Sequence, residues 1–309
     1  MKMNQRVYGV VGISSIMANW NADFTGRPKT ISTGDIFGSD KALKYPIKKM
    51  WMQQGEKVLY IKSYKIDNKG KDDGKLKPLS LKERYEFLFG VPLDKKDSSK
   101  VVIKNLFSAV DVMNFGATFA EEKQNISITG AVQVGQGFNK DEETSVEIQD
   151  ILSPFRNAKN EEADASSLGT KVMVDEAHYF YPFAVNPDNY LEYESILEGF
   201  EGYTREAYEK FKEGCLIGTT AFHTNSKSGC ENEFALFVTC NPESKVYLPN
   251  LDRYISFKRG EEKNIIDLTK LGDLLTGYQK DIEMVEVYYN PYTTDLCTEG
   301  LKANIQPLF

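Results

Sequence analysis

The chain has 309 residues, 41% hydrophobic and 12% aromatic, enough for one large domain or two small ones around a substantial core. With 27% charged residues and that apolar content it is neither a disordered chain nor a collagen-like fibre, and no apolar stretch reaches the roughly 18 residues of a membrane-spanning helix. The net charge of −7 conceals an asymmetry: residues 1–110 hold 21 Lys and Arg against 11 Asp and Glu, a balance of +10, and the remainder carries −17. A basic third joined to an acidic remainder points to a polyanion on one surface and a complementary partner on another, although lysines scattered over a solvated surface give the same numbers.

The four cysteines, at 215, 230, 240 and 297, form no CxxC pair and no short Cys/His spacing. They indicate neither a zinc site nor a disulfide framework, and fit reduced core cysteines of a cytoplasmic protein. The opening MKMNQRVYGVVGISS has a basic start and a short apolar run, but no small-residue cleavage site follows it. It reads as a first strand, and the protein is expected to be soluble and intracellular, with no membrane partner.

Along the chain, Arg6–Ile13 alternates small and β-branched residues and predicts a buried strand. The polar, Gly-rich stretch from Ser14 to Gly38 is 25 residues long. That exceeds an ordinary connection, and loops of such length are usually functional or disordered. Ser39 then caps a helix over Asp40–Gln53, with Leu43, Ile47, Met50 and Trp51 on its apolar face and Lys41, Lys44 and Lys48 as a basic stripe beside it. Pro46 conflicts with an uninterrupted helix, so either the helix is kinked there or its regular part begins at Tyr45–Pro46.

Lys57–Lys65 predicts a second strand, followed by a Lys/Asp/Gly-rich segment over Ile66–Pro78 and helices over Leu81–Phe89 and Lys104–Met113. Strand patterns at Ile126–Phe138 and Lys171–Ala184 flank Asn139–Thr170, which holds eight acids against three bases and reads as part of an extended β-arm. Thr204–Gly214 is an amphipathic helix with Ala207, Tyr208 and Phe211 on one face. A loop, Phe222–Asn232, leads to a strand over Glu233–Thr239; strand at Lys245–Phe257, a helix near Ile265–Leu275 and a last strand at Ile282–Tyr289 complete the chain. This order fits an α+β fold of the ferredoxin-like kind with large insertions.

Little in the chain supports an enzyme. Neither GKDDGK nor HTNSKSG has the spacing of a nucleotide-binding P-loop, and there is no GxGxxG after a strand and no GxSxG. The two histidines lie 45 residues apart. His178, within HYFYPF, is expected to pack in the core, while His223 opens a polar loop, as a surface residue or a phosphate contact. No metal or cofactor is expected.

Nucleic-acid binding has more support, because it needs cations, hydroxyls and amides for phosphates and aromatics for bases. Residues 15–51 offer Asn19, Trp20, Asn21, Phe24, Arg27, Lys29, Thr30, Ser32, Thr33 and the lysine stripe. The plainer alternative is a surface loop whose Trp20 and Phe24 pack on the core. A second candidate, Thr224-Asn225-Ser226-Lys227-Ser228-Gly229, carries donors and no acid before Glu231, and Phe138 or Phe155 could act as apolar wedges from the arm.

In order, STGDIFGSDKALKYPIKK, DVMNFGATFA, SITGAVQVGQG, VMVDEAHYFYPFAVNP and TNSKSG, together with the first strand and its Asn-rich loop, resemble the motifs of one family. It is the backbone subunit of type I CRISPR interference complexes (Cascade), and the type I-B branch is the most similar. The resemblance spans about residues 6–241. Asn225 and Met113 stand where that family usually has arginines and Ala131 where it has a proline, so no phosphate contact is carried over to 225 or 113.

The resemblance implies a single hand-shaped domain over 1–309: an RNA-recognition-motif-like palm, a helical finger insertion over 66–125 and an extended β-hairpin thumb over 126–184. It implies a non-catalytic subunit that stacks head to tail with further copies of itself along a guide crRNA, beside other Cascade subunits, and presents the guide to a target DNA strand. Ser39, Lys41, Lys44 and Lys48 would then grip guide phosphates, with Asn19 and Asn21 in the adjoining loop. Gln133 and Phe138 would sit at the base of the thumb, and Thr224, Ser226 and Lys227 would complete the groove. Charge reversal at Lys44 plus Lys48 is expected to abolish RNA-dependent assembly and leave the fold intact. The competing class is a ribonuclease: backbone subunits of the related type III complexes cleave target RNA through a loop aspartate, and Asp23 and Asp35 occupy such a loop.

Overall fold

A strand that is apolar on both faces needs cover on both, and β1 (Val7–Ala18), buried without a break from Val7 to Ser15, receives it. In the computed structural model, which describes residues 1–67, 74–152, 168–242 and 244–309, β1 is the centre of a mixed nine-stranded sheet. It pairs antiparallel with β10 (Leu168–Val185) on one side and β11 (Cys230–Cys240) on the other. Beyond β11 lie β14 (Ile282–Tyr289), antiparallel, and β16 (Asn304–Pro307), parallel to β14. On its other side β10 carries β7 (Val132–Val134), β8 (Gly137–Asn139) and β9 (Val146–Leu152), and β8 pairs with the two-residue β2 (Phe37–Gly38).

One face of this sheet is covered by helices. α1 (Asp40–Gln53) turns Leu43, Ile47, Met50 and Trp51 onto it, and α6 (Arg205–Ile217) adds Tyr208 and Phe211 against Val7, Val11, Tyr181, Phe183 and Phe237. The helix runs unbroken through Pro46, whose buried ring offsets part of the roughly 3 kcal/mol that an interior proline costs. The other face, Tyr8, Val10, Phe180, Phe234, Leu236 and Val238, packs against Leu248, Leu251, Ile255, Ile266, Leu268, Leu271 and Leu275. Of the residues beyond 242, which the resemblance left unmatched, β14 and β16 extend the main sheet and much of the rest forms the second covering layer. That layer includes a small sheet of β12 (Ser256–Lys258), β13 (Asn264–Asp267) and β15 (Thr294–Cys297), with α7 (Thr269–Thr276). The strand expected over Lys245–Phe257 is reduced to β12 after a 3-10 turn at Leu251–Tyr254, and the helix expected from Ile265 starts only after β13.

Three other expectations are corrected. Lys57–Lys65 is not a strand before β3 (Tyr64–Asp67), although Val58, Leu59 and Ile61 are buried. Its backbone is held by side chains instead: Asp111 accepts hydrogen bonds from the amides of Leu59 and Tyr60, both at 2.8 Å, and Arg84 donates to the Val58 carbonyl at 2.6 Å. β3 pairs with β4 (Lys75–Pro78); residues 68–73 of the Lys/Asp/Gly-rich segment lie outside the described residues. After α2 (Leu81–Phe89), the helix expected over Lys104–Met113 is two, α3 (Ser99–Phe107) and α4 (Val110–Phe115), separated at the extended Ala109.

The strand expected over Ile126–Phe138 is three. β6 (Ile126–Thr129) pairs with β5 (Gly116–Phe119) in a sheet of its own, whereas β7 and β8 join β10. The chain leaves β6 at Gly130, where a Cβ would lie 2.2 Å from the Phe115 carbonyl carbon. The described part of the two-stranded arm is β9 against the first half of β10. Among the described residues β9 pairs with β10 over 146–152 and 168–174, and β9 is exposed throughout, while the rest of β10 lies inside the main sheet. Phe155 lies outside the described residues. α5 (Leu191–Ile196) and a 3-10 turn at Pro187–Tyr190 connect β10 to α6. Among the described residues no helix is long and apolar enough to cross a membrane.

Candidate nucleic-acid interface

The loop after β1, the start of α1, the 224–229 loop and the base of the arm meet at one end of the sheet. Asn19 is the junction. Buried to 6% exposure, it donates from Nδ2 to the carbonyls of Gly26 (3.0 Å) and Val172 (3.2 Å), and from its amide to the Ser226 carbonyl at 3.1 Å. It therefore ties its own loop to the arm and to the 224–229 loop. Lys227 closes the junction from the other side: its ammonium donates to the carbonyl of Asn19 at 2.7 Å and to that of Trp20, and lies 5.4 Å from the Trp20 ring centroid. Burial pushes the Lys227 ammonium below its ordinary pKa. Gly229, at φ +104°, brings the loop back to β1, where any Cβ would lie 2.1 Å from the Ile16 carbonyl oxygen.

Trp20 packs in the core, its Nε1 donating to the Tyr181 hydroxyl at 2.5 Å. Asn21 accepts at Oδ1 from the Ser39 amide (2.8 Å) and so fixes the start of α1. Ser39 is the N-cap by backbone geometry, but its side chain makes no capping hydrogen bond.

The lysines of α1 divide in a way the spacing did not reveal. Lys44 pairs with Asp40 at 2.9 Å, and its ammonium lies 5.1 Å from the Phe115 ring centroid. Burial would raise the Asp40 carboxyl pKa, but Lys44 outweighs it and holds the group below its usual range. Lys48 turns further in, 3.3 Å from the Asp111 carboxylate and donating to the Tyr60 carbonyl at 3.3 Å; burial lowers its pKa, against the pull of Asp111. Lys41 stays exposed. It shares a stripe with exposed Tyr45 and half-buried Lys49, at i, i+4 and i+8. The Tyr45 ring meets Phe222 edge-on, centroids 5.5 Å apart, and the Lys49 ammonium lies 5.8 Å from the Tyr45 ring. The outward stripe is thus Lys41, Tyr45 and Lys49, not Lys41, Lys44 and Lys48. The i+4 spacing of Tyr45 from Lys41 was the signal that reasoning from charge alone passed over.

Next to this surface, Thr224 and Ser226 are exposed. Gln133 is exposed and donates to the Gly130 carbonyl at 2.9 Å, but it stands opposite Ala184, well along β10 from Val174, where the arm leaves the sheet. Phe138, 38% exposed, packs against Phe37 across the β2–β8 pair with centroids 5.8 Å apart. Asp23 shapes a turn: its Oδ1 accepts from the Thr25 amide (2.8 Å), the Thr25 hydroxyl (2.7 Å) and the Arg27 amide (3.0 Å), and hydrogen bonding from Thr25 first of all holds the carboxyl below its usual range. Asp35 accepts from the Thr33 hydroxyl at 2.7 Å. Among the described residues no cluster of three His, Cys, Asp or Glu side chains is placed to hold a metal ion.

Sequence reasoning missed a polar cluster at the foot of the arm. Arg259 reaches from the C-terminal layer to Asp141, to Asp175 (3.4 Å) and to Glu176 (3.7 Å), and Asn264 donates to Glu176 at 2.9 Å. His178, buried as expected, is the centre of this cluster and not an apolar neighbour of it. These contacts fasten the covering layer to β10 where the arm leaves the sheet.

An antiparallel sheet centre with helices on one face, and a basic and aromatic surface at one end, defines a mixed α/β protein suited to an extended polyanion. Residues 5–274 match the family described as CRISPR-associated protein Cas7, and the chain belongs to that family. Among solved structures it is similar to a chain of a "CRISPR RNA-guided surveillance complex, pre-nicking", with a TM-score of 0.59 and 15% identity over 98% of this chain and 96% of that one. A chain of a "CRISPR RNA-guided surveillance complex" aligns with a TM-score of 0.53, also at 15% identity, over 94% and 91%. At that identity the likeness shows the fold. No curated protein sequence matches the chain.

Proposed function

We propose that this protein is the non-catalytic backbone subunit of a type I CRISPR surveillance complex of the I-B kind, binding guide crRNA in several head-to-tail copies beside other Cascade subunits. Membership of the Cas7 family over residues 5–274 is the observation that carries this reading. The order β1-α1-β8-β10-α6-β11, with strands side by side as β11-β1-β10-β8, supports a palm of the RNA-recognition-motif kind. The helical insertion that packs beside α1 serves as fingers, and the β9–β10 arm as thumb.

In this reading the site residues have two roles. Lys41, with Thr224 and Ser226, and with Tyr45 and Lys49 added, faces the guide; Phe138 borders it near the foot of the arm, while Gln133, opposite Ala184, lies farther along β10. Asn19, Asn21, Ser39, Lys44, Lys48 and Lys227 hold the loops and the helix that present those groups. Guide bases left free would pair with the target DNA strand, so the protein reads backbone and shape.

The test is purification of the chain with its partner subunits, followed by absorbance at two wavelengths and a denaturing gel. A discrete RNA of guide size, with this subunit in several-fold excess over the others, is the expected result. A nucleic-acid-free monomer that binds no added guide RNA at low salt would overturn the reading.

A further inference from the structure

Of the two aromatic residues in the loop after β1, Trp20 goes to the core and Phe24 does not. Its ring is fully exposed, with a relative accessibility of 111%. The loop beneath it is well braced. Besides the three hydrogen bonds into the Asp23 carboxylate, the Asp23 amide donates to the Arg27 carbonyl at 2.8 Å and the Gly26 amide to the Asp23 carbonyl at 3.2 Å. Gly26 takes φ +82°, and its carbonyl accepts from buried Asn19. The turn is therefore anchored through Asn19 to the arm and to the 224–229 loop.

The surroundings indicate what the ring meets. Ala22, Thr25, Gly26 and Arg27 beside it in the chain are exposed and small or polar, so the turn itself offers Phe24 no apolar cover. Arg27 is exposed beside it, and Lys29 follows, its ammonium 5.6 Å from the Phe37 ring. Between Asn19 and Gly34 the one acid is Asp23, whose Oδ1 accepts the three hydrogen bonds of the turn. A lone ring on a braced turn beside two cations suits a stacked nucleobase: the backbone has little freedom left to lose, and the cations meet the flanking phosphates.

We propose that Phe24 stacks on a base of single-stranded RNA bound along this end of the sheet, an inference that rests on the RNA-binding reading above. The experiment uses the full chain and single-stranded RNAs carrying 2-aminopurine at successive positions. Wild-type protein is expected to bind and to change the fluorescence at one position in particular. Phe24→Ala should unfold at the wild-type temperature, bind RNA roughly tenfold more weakly and lose that positional signal. Phe24→Trp should retain binding, and its additional emission should be quenched by unlabelled RNA. If Phe24→Ala binds as tightly as wild type with the same positional signal, the proposal is overturned, and equally if its one defect is self-association, which would make Phe24 a subunit contact. If wild-type protein binds no RNA, the RNA-binding reading fails first and this proposal with it.

Discussion

His178 Nδ1 lies 2.8 Å from Glu233 Oε2, joining two strands that flank β1 on opposite sides. The other ring nitrogen lies 2.9 Å from Glu176 Oε1, and the ring stacks on Phe257 with centroids 3.9 Å apart. Burial alone would lower the imidazolium pKa, but the two carboxylates outweigh it and raise it to about 9, while His178 holds Glu176 down at about 2.

A raised pKa makes the contribution complete below the ordinary histidine value of 6.5 and removes it as the pH climbs through about 9. Its size is on the order of 3 kcal/mol. Thermal unfolding followed against pH should therefore show the midpoint falling between 6.5 and 9, and His178→Gln should flatten that fall. A wild-type midpoint that stays level across this window would show that the imidazole is neutral in the folded protein.

The division of the α1 lysines predicts opposite outcomes for two double charge reversals. Lys44→Glu with Lys48→Glu removes two internal ion pairs and sets a new carboxylate against buried Asp111, which already holds two backbone amides. The loss should be about 3–5 kcal/mol, so the fold would not survive intact as the charge pattern alone suggested. Lys41→Glu with Lys49→Glu should leave the unfolding midpoint within about 0.5 kcal/mol of wild type and weaken RNA binding, more so at low salt. Calorimetry and RNA titration on both variants decide the matter; an undiminished midpoint for the first pair would refute the assignment.

Elements whose pattern is set by their own residues were legible, and those set by distant partners were not. α1, α2 and β14 fall where periodicity places them, because burial of one face at helical or strand spacing is written locally. Lys57–Lys65 has the composition of a strand, but its amides are bonded to Asp111, about fifty positions away, and no local pattern reports that. β10 runs from arm to sheet as one strand with no glycine or proline at the junction, so the sequence does not show where β9 ends as its neighbour and β1 begins. The site was half legible for the same reason: charge and spacing marked Lys41, Lys44 and Lys48 alike, and beyond the local Asp40–Lys44 pair it is Phe115 and Asp111, from α4, that separate them.

Gly38 faces Gly137 in the β2–β8 pair, and both admit the Tyr181 ring. A Cβ at 38 would lie 1.8 Å from the Tyr181 hydroxyl and 2.6 Å from Trp20 Nε1. Gly38→Ala should cost about 3 kcal/mol by overpacking. Tyr181→Phe, which strands the Trp20 donor, should cost about 1–3 kcal/mol. Because the closest clash is with the hydroxyl that Tyr181→Phe removes, the double variant should be about 1 kcal/mol or more better than the sum. Denaturant unfolding of the four proteins measures this coupling, and strict additivity would show that the hydroxyl is not what the alanine meets.

In the proposed reading Lys227 shapes the surface and Ser226 lies on it. Lys227→Met keeps the buried stem but leaves the Asn19 and Trp20 carbonyls without their donor, at a cost of about 1–3 kcal/mol. The 224–229 loop should then be cut more readily by protease, and RNA binding should weaken together with stability. Ser226→Ala removes an exposed hydroxyl while its carbonyl goes on accepting from the Asn19 amide, so it should lower RNA affinity with no change in unfolding or cleavage. Thermal midpoints, limited proteolysis and RNA titration on the two variants resolve these roles. If Lys227→Met loses RNA binding at an unchanged midpoint and cleavage pattern, its ammonium contacts phosphate itself, and the latch between the 224–229 loop and β1 is incidental.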